Sequence, residues 1–227
     1  GESSVGYANV TDSGKDGADT LAVEGTEEQD ELLMHMNKDH NLGFVALLPQ
    51  DKEAPENKDK GLALNTNIER VNFTNSIETV NLNANGGDDH IVIDGTAKTT
   101  NVDGGDGADT IQVGQLYNSE RVFTGGDKDP AKVQPVDAFD TVKTNEEKYL
   151  SEGVTKNTIL NVEGNIGEDT FAALNNVGAL NMVGGKGDDK FSIYGFQNEK
   201  DATIARGPVS IDGGSGNDSM FVRGTNG

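Results

Sequence analysis

Apolar residues in this chain recur at every second position in short bursts, and each burst follows an acidic, glycine-rich turn. In VDGGDGADTIQV (102–113) the turn GGDGAD runs straight into TIQV, which puts Ile111 and Val113 on one face of a strand. With the closing Asp as reference, the same phrase returns. Asp89 precedes Ile91 and Ile93, Asp169 precedes Phe171 and Ala173, Asp189 precedes Phe191 and Ile193, and Asp218 precedes Met220 and Val222. A copy split by an insertion spans 122–142 and resumes at Asp140 with Val142. An early copy, SGKDGADTLAV (13–23), is closed by Asp19, and GTEEQD (25–30), before Leu32 and Met34, is a degenerate echo. IERVNF (68–73) and IETVNL (77–82) are two versions of one strand phrase. The period throughout is that of strands.

Six closing aspartates at 89, 109, 140, 169, 189 and 218 are separated by 20, 31, 29, 20 and 29 residues. A step of 20 accommodates two strands and two turns, one winding of a repeat. Longer steps add residues mostly between the strand after one Asp and the strand before the next glycine turn, as in GQLYNSERVF and KTNEEKYLSEGVTKNT. The expectation is an all-β parallel β-solenoid with one column of Gly/Asp turns and a variable-loop opposite edge. Residues 1–34 read as the first degenerate repeats. Residues 35–66, rich in Pro, Gly and charge, read as an irregular insertion or small subdomain, with a short helix or hairpin. Residues 67–227 read as repeats continuing the same array.

Composition agrees with a thin core. Only 33% of residues are hydrophobic, 5% are aromatic and Trp is absent. Thirty-nine acidic residues against 18 basic ones give a formal charge of −21, which argues against nucleic acid and against insertion into anionic membranes and makes cations the natural partners. With no Cys there is no disulfide framework, so an extracellular life needs another staple, such as metal. The N-terminus carries no signal-peptide pattern, no apolar run approaches a membrane span, and Gly1 stands where an initiator Met would. These features read as an excised or processed piece of a longer protein.

The turns supply the chemistry. Glycines let the chain wrap tightly and aim carbonyl oxygens inward beside a fixed carboxylate, and calcium tolerates such irregular all-oxygen shells. Where Asn85 replaces a glycine, it is the best non-glycine residue for a left-handed backbone. Strands stack ~4.8 Å apart, so neighbouring carboxylates would repel by ~3–4 kcal/mol at an effective dielectric of 20 and ~1 in water. A divalent ion between turns removes that repulsion. The candidate metal-binding residues are Asp19; Asn85, Gly87 and Asp89; Gly105, Gly107 and Asp109; Asp140; Asn165, Gly167 and Asp169; Gly185, Gly187 and Asp189; and Gly214, Gly216 and Asp218. About five Ca2+ ions are expected between stacked turns.

These copies resemble the repeat-in-toxin (RTX, haemolysin-type) calcium-binding repeat, G-G-x-G-x-D followed by an apolar strand. The match is close at Gly104, Gly105, Gly107 and Asp109, at Gly184, Gly185, Gly187 and Asp189, and at Gly213, Gly214, Gly216 and Asp218. Partial matches fall at Asn85, Gly87 and Asp89 and at Gly164, Gly167 and Asp169, and coverage is roughly residues 77–222. The resemblance implies a right-handed parallel β-roll, calcium-dependent folding and export to the bacterial exterior. The familiar roll carries glycine turns on both edges at a nine-residue spacing. Here the turn appears once per 20 to 31 residues, which implies a variant of the kind found in large surface proteins.

No GxSxG, Walker A or Cys nucleophile is present, and His35 and His40, five apart, miss the HExxH spacing, so the chain reads as non-enzymatic. The leading expectation is a calcium-loaded structural or scaffold segment of a secreted or cell-surface bacterial protein. One alternative is an adhesin-type module that binds glycan or protein through the variable edge or residues 24–70. Another is the export tail of a secreted enzyme. Self-assembly, or association with other segments of the parent protein, is a further partner expectation.

Overall fold

A computed structural model of the chain describes residues 7–14, 16–37, 41–48, 69–120, 141–196 and 206–224. Every regular element among them is a strand. In chain order they are β1 (Tyr7–Val10), β2 (Thr20–Glu24), β3 (Glu31–Asn37), β4 (Leu42–Leu47), β5 (Glu69–Phe73), β6 (Thr79–Asn83), β7 (His90–Asp94), β8 (Thr99–Asp106) and β9 (Thr110–Val113). There follow β10 (Leu116–Tyr117), β11 (Val142–Lys143), β12 (Tyr149–Leu150), β13 (Ile159–Ile166), β14 (Thr170–Ala173), β15 (Ala179–Lys186), β16 (Lys190–Gly195), β17 (Val209–Ser215) and β18 (Ser219–Gly224).

The all-β expectation holds, but the right-handed parallel β-solenoid does not. Among the described residues the strands divide among three sheets, of nine (β1-β5-β4-β3-β7-β9-β14-β16-β18), six (β17-β15-β13-β8-β6-β2) and three strands (β10-β12-β11), with no closed solenoid. The nine-stranded sheet is mixed, because β4 runs antiparallel to both β3 and β5. Just before β4, Asn41 takes φ 56°, a left-handed angle that Asn tolerates. The smallest sheet is antiparallel throughout. The variable segment after β9 thus folds on itself instead of adding a winding.

From β6 onward the chain passes between the two large sheets. The parallel pairs are in register: β6 with β8, β8 with β13 and β13 with β15 in one sheet, β7 with β9, β9 with β14 and β14 with β16 in the other. Alternation decides which face is inside. Val80, Leu82, Val102, Leu160, Val162, Leu180 and Met182 join Leu32, Met34, Ile91, Ile93, Ile111, Val113, Phe171 and Phe191 in one buried cluster, so the two sheets share a core. Phe171 and Phe191 stack at 4.7 Å between centroids, 6° from parallel. On the opposite face of the six-stranded sheet, Asn81, Asn101, Asn161 and Asn181 form a chain of side-chain hydrogen bonds, each 2.8 Å long. Behind the nine-stranded sheet, Leu33, Phe44, Ala46 and Val92 make a second buried cluster.

The small sheet is tied to the large one through Asp94, which is 1% exposed. Asp94 accepts from Gln115 Nε2 at 2.5 Å, from Tyr117 OH at 2.9 Å and from Ser151 Oγ, while His35 Nδ1 lies 3.6 Å from its Oδ2. The Ser151 hydroxyl proton is therefore committed to a buried carboxylate rather than to an imidazole. Ser, His and Asp meet here as a structural node that fastens the excursion after β9.

Candidate metal centre

Six acidic turns each join a strand of the six-stranded sheet to a strand of the nine-stranded sheet, and we call each strand–turn–strand unit a tier. The tiers are β2–β3, β6–β7, β8–β9, β13–β14, β15–β16 and β17–β18, closed by Asp30, Asp89, Asp109, Asp169, Asp189 and Asp218. The turns are shaped by left-handed backbone at their second glycine position: Asn85 (φ 73°), Gly105 (97°), Asn165 (75°), Gly185 (112°) and Gly214 (86°). Asn at two of these five positions follows from its tolerance of that region. At the fourth position Gly107 has φ 144°, and a Cβ there would fall 1.9 Å from the Gly87 carbonyl oxygen of the tier beneath. Glycine is required there by the approach of one turn to the next.

The closing aspartates form a continuous relay. The backbone N–H of each donates to Oδ1 of the next: Asp30 to Asp89 (2.6 Å), Asp89 to Asp109 (2.9 Å), Asp109 to Asp169 (2.8 Å), Asp169 to Asp189 (2.9 Å) and Asp189 to Asp218 (3.1 Å). The second oxygen is different. Oδ2 of Asp89, Asp109, Asp169 and Asp189 is buried and makes no hydrogen bond. A desolvated carboxylate oxygen with no partner is costly, and four in a row need a common explanation.

One described residue expected as a ligand sits elsewhere. Asp19 does not belong to this row. It precedes β2 at the opposite edge, where its N–H donates to Glu78 Oε2 at 2.9 Å and its carbonyl accepts from Thr79. The Asp12 carboxylate, with burial and Glu78 adding, pushes the Asp19 carboxyl up. Asp30, in the degenerate turn, takes the place in the row that the glycine-rich copy at 13–19 does not. Asp140 lies outside the described residues. The remaining residues, Asn85, Gly87, Asp89, Gly105, Gly107, Asp109, Asn165, Gly167, Asp169, Gly185, Gly187, Asp189, Gly214, Gly216 and Asp218, occupy five successive turns of one row.

No family model, curated protein or solved structure matches this chain. The assignment of the row therefore rests on its own geometry. Among the described residues no three His, Cys, Asp or Glu side chains converge. The buried donors are the closing carboxylate of each tier and main-chain carbonyls, with Asp88, Asp103 and Asp188 adding charge nearby. At Gly104, Gly164 and Gly184 a Cβ would meet Oδ2 of the same turn's Asp at 2.3, 2.2 and 2.1 Å, and the carbonyl oxygen of Gly164, Gly184 and Gly213 in the next tier at 3.2, 2.7 and 2.5 Å. Glycine at these positions thus lets the unpartnered carboxylate oxygen pack against the backbone, close to a carbonyl from the neighbouring turn. An all-oxygen donor set of this kind fits a hard cation such as calcium.

Electrostatics point the same way. Burial pushes the Asp89 and Asp169 carboxyls up to about 6, against the backbone N–H bonds to Oδ1, and neighbouring aspartates push further. Burial also raises Asp109 and Asp189. Folding raises these values, so in metal-free buffer their contribution to stability is complete below the unfolded value of 3.8 and lost as pH rises through about 6. The chelated protein is expected to melt at a higher temperature at pH 5 than at pH 7.5. An equal or lower melting point at pH 5 would show that these carboxyls are not shifted.

Proposed function

We propose that this chain is a calcium-binding structural segment whose acidic turns are held together by ions along the Asp89–Asp218 row. The reading rests on one observation above the others: four successive buried Oδ2 atoms without a partner, each in a turn of the same construction. Calcium would supply the positive charge that satisfies these oxygens and screens one carboxylate from the next. The protein's own residues do the rest. The Asp N–H to Oδ1 relay fixes each carboxylate so that Oδ2 is presented on the same side of every turn. Asn85 and Asn165, with Gly105 and Gly185, wind the backbone so that turn carbonyls face neighbouring tiers. The in-register sheets keep the tiers at one spacing.

The resemblance of the turns to RTX repeats and the charge of −21 support a place outside the cell, as a scaffold or stalk segment of a secreted or surface protein, where calcium would be the staple that disulfides do not provide. The test is far-UV circular dichroism and thermal melting with calcium and with chelator. A strand-rich spectrum and a coincident melt in both would overturn the reading.

A further inference from the structure

We infer that the tier closed by Asp218 is a self-association face, on which a second copy of this chain docks with its own Asp218 tier, β18 against β18 and β17 against β17. The two ends of the tier stack are finished differently. Beyond the Asp30 tier the nine-stranded sheet continues through β4, β5 and β1, and Val45 and Phe73 from these strands close the shared core, 2% and 0% exposed. Beyond the Asp218 tier no strand follows among the described residues, and β17 and β18 are the edge strands of the two large sheets.

The core is open at that face. Met220 and Val222 stand in register with Phe191 and Ile193 and continue their rows, yet they are 63% and 64% exposed, and Phe221 between them is 56% exposed. The backbone is open as well. The Ser219 N–H donates to the Asp189 carbonyl, so Ser219, Phe221 and Arg223 direct their backbone groups to β16, while Met220, Val222 and Gly224 turn theirs outward. A contiguous apolar patch beside an unpaired strand edge is the combination that takes up another strand.

Charge selects a second copy in a two-fold arrangement as the occupant. Phe221 and Arg223 alternate with the core-facing Met220 and Val222 and so share the outer face of the sheet. With a two-fold axis at Val222 the β18 strands pair antiparallel, and Phe221 of each copy lies opposite Arg223 of the other, a guanidinium against a ring on both sides of the axis. The same arrangement sends the two acidic turns to opposite ends of the contact. A copy docked turn to turn would instead set Asp218 against Asp218 between chains that each carry −21. The closed end offers no equivalent face, so assembly stops at two copies. Edge strands of six and seven residues, ~20 Å long and ~10 Å apart, bury about 1,000 Å² in total when two such ends meet, the size of a weak and reversible contact.

Sedimentation of the 227-residue chain in calcium-containing buffer, with enough salt to screen the net charge, tests this. Wild type is expected to pass from monomer to dimer as its concentration rises through roughly 10–100 µM. Val222→Pro removes an outward N–H while leaving the bonds to β16 in place, and Met220→Lys puts a charge into the open end of the core. Each is expected to weaken dimerisation at least ~10-fold, and Arg223→Ala about threefold, with far-UV spectra showing the variants folded. A face that instead receives a tier of another polypeptide would leave this chain monomeric at every concentration, and that result would overturn the inference. A dimer insensitive to both Val222→Pro and Met220→Lys, or growth beyond two copies, would overturn it equally.

Discussion

Chelation is expected to lower the melting temperature of this protein by about 20 °C relative to 10 mM calcium. Sites of the affinity usual in extracellular calcium modules, ~10⁻⁴ M, each add ~2.7 kcal/mol at a hundredfold excess of ligand. Even three such sites would contribute ~8 kcal/mol, comparable to the whole net stability of an ordinary domain. In a chain of 150–250 residues each kcal/mol moves the midpoint by ~2–4 °C. The size of the effect follows from placement: groups of different tiers face one another, Asp109 beside Gly164 and Asp169 beside Gly184, so an ion between them would join parts of the chain that separate on unfolding. Magnesium, which demands a smaller and more regular octahedral shell, is expected to recover only a small part of the shift. A shift below a few degrees, at calcium concentrations that saturate the protein, would show that the turns are already stable without it.

Phe171→Ala is expected to destabilise the protein by ~3–5 kcal/mol, lowering the melting point by roughly 10 °C. Phe171 is fully buried, and its ring stacks on Phe191 of the neighbouring strand in the core shared by the two large sheets. Truncation loses that contact and opens a cavity that in-register strands cannot readily close. The loss belongs to the core rather than to the turns, so it is expected at equal size with calcium and with chelator. A loss confined to the calcium-loaded protein would mean that the core forms only once the turns are bridged, which would make the metal a condition for packing rather than an addition to it.

Much of the local structure was legible in the residues. Alternation placed Ile111 and Val113, Phe171 and Ala173, and Phe191 inward, and the left-handed positions of Asn85 and Asn165 followed from the conformational preference of Asn. Long-range arrangement was less legible. The early glycine-rich copy has the better turn sequence, yet Asp30 rather than Asp19 joins the row, because the relay depends on which strand follows the turn. Asp30 leads into β3, which pairs with β7, whereas Asp19 leads into β2 in the other sheet. The signal for this lay in Leu32 and Met34, which keep the two-residue alternation after a turn that has lost most of its glycines. The antiparallel β4 was hidden because Leu42–Leu47 is a nearly continuous apolar run, and buried strands of either direction read alike. Spacing alone also gave no sign that Asp109 meets Asp169, 60 residues on, directly.

That contact has a kinetic consequence. The relay advances by 20 residues from Asp89 to Asp109 and from Asp169 to Asp189, but by 60 from Asp109 to Asp169. Closing the longer loop costs about 1 kcal/mol more in chain entropy, before the segment between has ordered itself. Along the Asp89–Asp218 part of the row, refolding is therefore expected to begin as two separate nuclei, one on each side of that excursion, which dock afterwards, with Asp30 joining across a loop of similar length. Pulse-labelled hydrogen exchange distinguishes the steps: the amides of Thr110 and Lys190, bonded to the Asp89 and Asp169 carbonyls, should gain protection before that of Thr170, bonded to Asp109. Simultaneous protection of all three would mean that the row assembles in one event. The slow passage in the life of this molecule is then a docking of two preformed halves, set by where the chain makes its longest detour.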